Sequence, residues 1–386
     1  MDFAETPEQQ LLRTSVADVA ARYGHPYWLG KARAGEKTTE LWDEVGRLGY
    51  LGVNVPEEYG GGGRGITELA IVAEELATAG CPLLLIVVSP AICATIIARS
   101  GTAEQRERWL PGLATGELRM AFAITEPDAG SNLHRLSTVA TRDGADWLIT
   151  GRKTYISGVD EADAVLVVAR AKDARTGTLR PALAMVPTDA TGFERTLIPV
   201  EITGPEKQFA LFLDEVRVPA GAMVGESADA ALAALFAGLN PERILGAAVA
   251  TGIGRYALAK ASAYANTRQV WGVPIGSHQG LAHPLANAAI QVELARLMTA
   301  KAAWLYDSGQ DAAAGEAANM AKYAAAEAAL LALDQAIQVH GGNGLATEYG
   351  LATLWGAVRL TRTAPISREM ILNFVASHTL GLPRSY

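Results

Sequence analysis

Three short segments combine hydroxyl, aromatic and glycine residues in patterns suited to a flat, acceptor-rich ligand. Ala121-Phe-Ala-Ile-Thr-Glu-Pro-Asp-Ala-Gly-Ser-Asn132 follows a predicted strand and sets Thr125 and Ser131 on either side of a small-residue turn. Such a turn lets backbone N–H groups approach a planar ring, although an ordinary strand-to-loop transition has the same composition. Trp147-Leu-Ile-Thr-Gly-Arg-Lys-Thr-Tyr-Ile-Ser-Gly158 places Tyr155 and Ser157 two apart, on one face of a strand. An aromatic plate beside a hydroxyl suits a heteroaromatic ligand, and a single Tyr on a strand equally suits a core. Gln338-Val-His-Gly-Gly-Asn-Gly-Leu-Ala-Thr-Glu-Tyr349 closes a long helical pattern with three glycines. They permit close backbone approach to a diphosphate or nucleotide, but a helix C-cap explains Gly341 or Gly342 as well.

The elements that must hold these segments fall into an α–β–α succession. Up to about Glu117 apolar residues recur three and four apart, predicting helices over Pro7–Tyr23 and Thr39–Leu48 with Thr6 and Thr39 as caps. Val55 to Gly65 is a glycine-rich breaker, and Gly101–Gly116 predicts another helix ended by Pro111 and Gly112. From Met120 to Gly225 the texture changes to short β-rich runs, among them Trp147–Thr150, Ala164–Ala169, Leu183–Val186 and Phe209–Leu213, with Asp143-Gly144 as a hairpin turn. Beyond Gly225 long Ala- and Leu-rich stretches, Pro241–Asn266, Leu281–Asp307 and Ala312–Val339, predict helices packed as a bundle. The expectation is an α+β chain with an N-terminal helical domain (1–118), a central β-barrel-like domain (119–225) and a C-terminal four-helix bundle (226–386).

With 386 residues, 49% of them hydrophobic, two or three packed units are expected. A net charge of −8 disfavours a non-specific grip on nucleic acid or anionic lipid. Cys81 and Cys93 form no disulfide framework and read as buried thiols, and no Cys/His cluster has metal-ligand spacing. The acidic start lacks the basic and apolar regions of a secretion signal, which predicts a cytoplasmic protein. The uncharged run between Glu75 and Arg99 is broken by Pro82 and Pro90, so a buried helix pair is expected there rather than a membrane span.

Taken in order, these segments resemble the acyl-CoA dehydrogenase family from Val55-Pro-Glu-Glu-Tyr-Gly-Gly61 to the C-terminus. Gly101-Thr102 with Gln105, Phe212-Leu-Asp-Glu-Val-Arg-Val-Pro219, Arg268-Gln-Val-Trp-Gly-Val-Pro-Ile-Gly276 and His278-Gln279 add to the likeness. The resemblance implies FAD stacked on Tyr155, with Phe122, Ile124, Thr125, Ser131 and Ser157 near the ring. It also implies that Arg268, Trp271, Gln279, Gln338, Gly341, Gly342 and Ser367 hold the rest of the cofactor, partly from a neighbouring subunit of a homotetramer built as a dimer of dimers. A guanidinium such as that of Arg268 pairs well with diphosphate oxygens. The implied partners are an acyl-CoA substrate, bound by Ser131, Asn240 and Arg243, and an electron-transfer flavoprotein.

The reaction implied is α,β-dehydrogenation of an acyl-CoA thioester to the trans-2-enoyl-CoA, within fatty acid metabolism. A carboxylate removes the α-proton and flavin N5 takes the β-hydride. Most members are similar in carrying that carboxylate near the C-terminus, but the gap-free alignment from Gly341 puts Pro365 of Thr363-Ala-Pro-Ile-Ser367 there. A minority branch, isovaleryl- and long-chain-type enzymes included, is similar in placing the Glu on the first long C-terminal helix before an Arg. Asn240-Pro-Glu-Arg-Ile-Leu245 matches, so Glu242 is the expected base, with Pro241 suited to the helix's first turn. The bland alternative is an acid that merely favours a helix N-terminus.

Asn132 and Asp128 depart from the family pattern, while Glu126 and Glu348 match positions that are mainly structural. Two other functions remain open on the same scaffold: a flavin-dependent oxidase or monooxygenase, and a non-catalytic subunit of a mixed oligomer.

Overall fold

A computed structural model describes residues 4–173, 176–225 and 228–384. The N-terminal part is helical: α1 (Pro7–Ala34), α2 (Thr39–Arg47), α3 (Ile66–Thr78), α4 (Leu84–Ile86), α5 (Thr95–Ser100) and α6 (Ala103–Thr115). Helix α1 starts at a capping box, in which Gln9 N–H donates to Thr6 Oγ1 at 3.2 Å and Thr6 N–H to Gln9 Oε1 at 3.1 Å. It outruns the expected Tyr23 because the chain kinks at Gly24, φ 69°, and then resumes its helix. Thr39 is the first helical residue of α2 rather than its cap, and the cap, Thr38, makes no capping bond.

Helix α6 does not end at Pro111 and Gly112 as expected but continues to Thr115. The carbonyl that Pro111 leaves without a donor belongs to exposed Glu107, where water can satisfy it, and the stop comes at Gly116, φ 77°. Between Glu75 and Arg99 the run is buried as expected, but beyond the end of α3 it is one continuous helix rather than a pair, α4 and α5 being joined by a π-helical stretch, Val87–Ala94, that contains Pro90. Cys81 and Cys93 are both free and buried.

The central part is β1 (Met120–Ala123), β2 (Val139–Asp143), β3 (Asp146–Ser157), β4 (Ala164–Lys172), β5 (Leu179–Pro187), β6 (Phe193–Ile198), β7 (Gln208–Pro219) and β8 (Met223–Val224). They form one mixed sheet in the order β6-β7-β3-β2-β4-β5-β8, with β1 alongside β4. The β2–β3 hairpin turns at Gly144-Ala145, with Gly144 at φ 61° in the first central position and Asp143 still paired with Asp146.

The C-terminal part holds three long helices, α7 (Ala228–Thr267), α8 (Gln279–Asp307) and α9 (Asp311–His340), followed by the short α10 (Trp355–Leu360) and α11 (Arg368–Phe374). A small hairpin, β9 (Gln269–Val270) and β10 (Val273–Pro274), joins α7 to α8. The expected domain boundary after 225 falls on residues 226–227, outside the described residues.

Helix α7 overturns one expectation: Pro241 is not in its first turn but well inside it. An interior proline leaves the carbonyl four residues earlier without its N–H partner. Here Tyr306, at the end of α8, donates its hydroxyl to Ala237 O at 2.7 Å and takes that place. Glu242 is accordingly not an acid at a helix N-terminus.

Apolar burial divides into three clusters. The first is shared by the N-terminal helices and the bundle; the second joins the π-helical stretch, α5 and α6 to one face of the sheet and to the start of α7; the third lies within the sheet. Leu239 belongs to the second and Ile244 to the first, so Glu242 sits on α7 where two cores meet. Buried Glu74 and Glu75 of α3 clamp three elements: Arg13 of α1 reaches Glu74 at 2.8 Å, Arg296 of α8 reaches Glu74 at 2.6 Å, and Arg255 of α7 reaches Glu75 at 2.6 Å. Removing one partner from such a buried group typically costs about 3–5 kcal/mol.

Candidate active site

On the sheet side, the site is shaped by a break in β3. The β3–β7 register shifts between Lys153 and Ile156, and Thr154 N–H donates instead to Thr125 O at 2.9 Å. This bulge turns Tyr155 outward: its φ is 56° and its side chain is 62% exposed. Ser157, two residues on, is hydrogen-bonded to the side-chain amide of Gln208, its register partner on β7, at 3.0–3.1 Å. Phe122 is buried in the core against the helices and Ile124 packs partly against it, whereas Ser131 is exposed on the loop.

The loop that carries Thr125 is anchored from below. Lys153 donates to Ile124 O at 3.1 Å and to Glu126 Oε1 at 2.9 Å. Glu126 also accepts from Ser137 N–H, Ser137 hydroxyl and Thr138 N–H at 2.6, 2.7 and 3.0 Å. These bonds outweigh its burial and hold its carboxyl down at about 2, while burial pushes Lys153 down to about 8.

On the bundle side, Trp271 and Gly272 are the two central residues of the β9–β10 hairpin, with φ of 52° and 81°. A two-residue turn with both φ positive favours Asn-Gly. A Trp there, 88% exposed, is costly for the free chain and is the kind of local strain that marks a binding position. His278 packs edge-on to it at 5.7 Å and leaves its buried Nε2 without a hydrogen-bond partner. Arg268, Gln279, Gln338, Gly341 and Gly342 are all exposed. Ser367 caps α11 by accepting Met370 N–H at 3.2 Å, which gives it a structural duty whatever else it touches. Tyr155 and Trp271 are both exposed aromatics held in left-handed backbone, one on the sheet and one on the bundle.

Glu242 lies partly buried on α7. Loss of water raises its carboxyl to about 7, opposed by the positive charges of Arg243 and Lys322. Arg243 donates to Asn240 Oδ1 at 3.0 Å, and Asn240, nearly buried, turns its amide toward Asp311 O at 3.5 Å. Pro365 is close by: a methyl group built on Gly246, one turn beyond Glu242, would meet Pro365 Cδ at 3.7 Å. The alternative position for a base and Glu242 itself therefore converge on one part of α7. A concavity of about 570 Å³, lined by residues such as Asn287, Gln291, Leu331 and Trp355, lies elsewhere, on the bundle, and does not include Glu242.

Lys322 and Gln208 carry no signal in the sequence. A lone Lys in an Ala-rich helix reads as solvated, and a Gln partnering Ser157 becomes visible only once the strand register is known.

Comparison with known proteins identifies the family and its fold. Signatures described as the acyl-CoA dehydrogenase N-terminal, middle and C-terminal domains match residues 6–117, 121–203 and 232–380. The chain belongs to the acyl-CoA dehydrogenase family. The acyl-CoA dehydrogenase FadE12 of Mycobacterium tuberculosis is 64% identical over 384 residues, covering 100% of this chain and 99% of that one. The solved structure of a glutaryl-coenzyme A dehydrogenase with glutaryl-CoA aligns with a TM-score of 0.94 at 30% identity, over 100% of this chain and 98% of the other. A glutaryl-CoA dehydrogenase from Mycobacterium smegmatis in complex with FADH2 aligns with a TM-score of 0.90 at 26% identity, over 99% and 97%. As an acyl-CoA dehydrogenase the chain is an FAD-dependent oxidoreductase, and its exposed, strained Tyr155 and Trp271 fit that cofactor.

Proposed function

We propose that this acyl-CoA dehydrogenase converts an acyl-CoA to its trans-2-enoyl-CoA, with Glu242 as the base that takes the α-proton and an electron-transfer flavoprotein as electron acceptor. The observation that carries the reading is Glu242 itself, a desolvated carboxyl with its pKa near 7, one helical turn from where the proline at the other base position meets α7. A base of that strength is ionised enough at neutral pH to accept a proton and basic enough to hold it. Bound FAD supplies the acceptor for the β-hydride. Tyr155 offers a plate for the ring, with Thr125, Ser131 and Ser157 around it, and Arg268 offers a cation for the diphosphate. Arg243, held by Asn240, stands where it can fix the thioester end of the substrate next to Glu242.

The exposed face of α8 supports a homotetramer. Ile290, Leu294, Leu297 and Trp304 recur at helical spacing and are each 43–58% exposed, an apolar stripe that a second copy would cover. A sedimentation mass close to four times 40.6 kDa is expected, and a monomer would remove this part of the reading. We also infer a cytoplasmic enzyme of fatty acid metabolism with units near 1–118, 119–225 and 226–386, which cell fractionation and limited proteolysis test.

The decisive experiment is anaerobic bleaching of the bound flavin by butyryl-, isovaleryl-, octanoyl- and palmitoyl-CoA, repeated with Glu242→Gln. The variant is expected to bleach about 10²–10⁴-fold more slowly. Equal rates would remove Glu242 as the base, and rapid reoxidation of the reduced enzyme by air would favour an oxidase.

A further inference from the structure

Lys322 is 2% exposed on α9, a charged side chain inside the bundle. Its ammonium donates to the carbonyl oxygen of Ile366, the residue after Pro365. That bond ties α9 to the middle of the 363–367 loop, whose ends are held to α9 by Arg362 and Arg368 through Glu327 and whose Pro365 lies against the turn of α7 beyond Glu242. The same ammonium faces Glu242 and Arg243 on α7, Glu369 on α11 and Glu327 on its own helix. Glu327 is already matched by Arg362 and, at 3.6 Å, by Arg368. Cys93, from the π-helical stretch, faces Glu242 as a neutral thiol. Of the charges facing Glu242, Arg243 has Asn240 as its hydrogen-bond partner, and Lys322 is the other cation.

We propose that Lys322 is a positioning residue for the base: it pins the Pro365 loop against α7 and places a positive charge that keeps Glu242 ionised near neutral pH. This rests on Glu242 being the base. The logic is electrostatic: a cation near a carboxylate in a poorly solvated site favours the charged form. With the cation gone, Glu242 would retain its proton to higher pH and the base would be disarmed over part of the working range. Lys322 itself is held near 8, mainly by burial and by Arg243, so the stabilising charge is present at neutral pH.

The test is the pH profile of anaerobic flavin reduction, using whichever of the four acyl-CoAs reduces the wild type fastest, for wild type, Lys322→Met, Lys322→Arg and Glu242→Gln. Lys322→Met is expected to move the acidic limb upward by about one pH unit, so that reduction at pH 6 falls on the order of tenfold while the rate at pH 9 stays within about threefold. Lys322→Arg retains a cation and is expected to keep the wild-type limb. If Lys322→Met yields no flavoprotein, Lys322→Arg carries the test, and an upward shift of a unit or more in it overturns the proposal. A Lys322→Met profile superimposable on the wild type, with only a lower melting temperature, also overturns it and leaves Lys322 as packing. Glu242→Gln separates the two ideas. If it reduces flavin normally, the base assignment fails and this proposal with it; if it is inactive while Lys322→Met keeps the wild-type profile, only the role of Lys322 fails.

Discussion

The sheet side and the bundle side of the site each bury one lysine, Lys153 at 1% and Lys322 at 2% exposure, and each lysine is pushed down to about 8. Their surroundings differ. Lys153 is matched by Glu126 at 2.9 Å and by Ile124 O, and Glu126 is in turn filled by three further donors. Lys322 meets one carbonyl and otherwise feels the charges of Arg243, Glu242, Glu369 and Glu327, with no ion pair of its own among the described residues. A saturated pair makes a rigid floor beneath the Thr125 loop, whereas an unclosed one can act on a neighbour's protonation. The β side thus holds geometry and the bundle side holds charge.

Breaking the floor should produce the largest effect on stability. Lys153→Met leaves Glu126 buried without its cation, so a loss of about 3–5 kcal/mol in urea unfolding is expected, together with loss of bound FAD. Full stability in that variant would erase the contrast between the two lysines. The double variant Glu126→Gln with Lys153→Met should regain part of the loss, since no charge is then stranded.

A smaller, pH-dependent effect belongs to the bundle side. Glu242 has a folded pKa raised from 4.5 to about 7, so the folded chain holds its proton more tightly than the unfolded one. That contribution to stability is fully present below 4.5 and is lost as pH rises toward 7. Glu242→Gln should therefore gain stability relative to wild type as pH climbs through this window, with the gain levelling off above it. Thermal unfolding from pH 4.5 to 8 measures this, and a difference constant with pH would mean that Glu242 is not desolvated.

The smallest effect concerns the strained aromatics, one on each side. Trp271→Asn suits the β9–β10 turn better and should stabilise the FAD-free chain by roughly 1 kcal/mol while weakening FAD retention. If cofactor binding is unchanged, the bundle side loses its stacking residue and the comparison rests on Tyr155 alone.

Much of this was legible in the residue order, and what was not has a common cause. The periods of α8 and α9 and the Asp143-Gly144 turn are local properties, and they lie where their spacing puts them. Pro241 and Pro111 misled because each proline's missing bond is compensated outside the local pattern: Tyr306, from another helix, serves Ala237, and an exposed face serves Glu107. Tyr155 and Ser157 do lie toward the less buried side of β3, but the bulge that exposes Tyr155 depends on Thr154 pairing with a distant loop. The carbonyl that Lys322 meets, Ile366 O, comes from more than forty residues further along the chain. Contacts closed by such long returns leave no trace in composition or periodicity.

The hydroxyl of Tyr306 also has a mechanical meaning. An uninterrupted helix satisfies its carbonyls along its own axis, and only side-chain packing and ion pairs fix its rotation against its neighbours. By taking the carbonyl of Ala237 sideways, Tyr306 acts as a key in a shaft: α7 cannot rotate about its axis without forfeiting that bond, and the key sits little more than one turn from Glu242. The end of α8 thus adds one more constraint on the face that α7 presents, and a proline that looks like a defect becomes the slot into which the key fits.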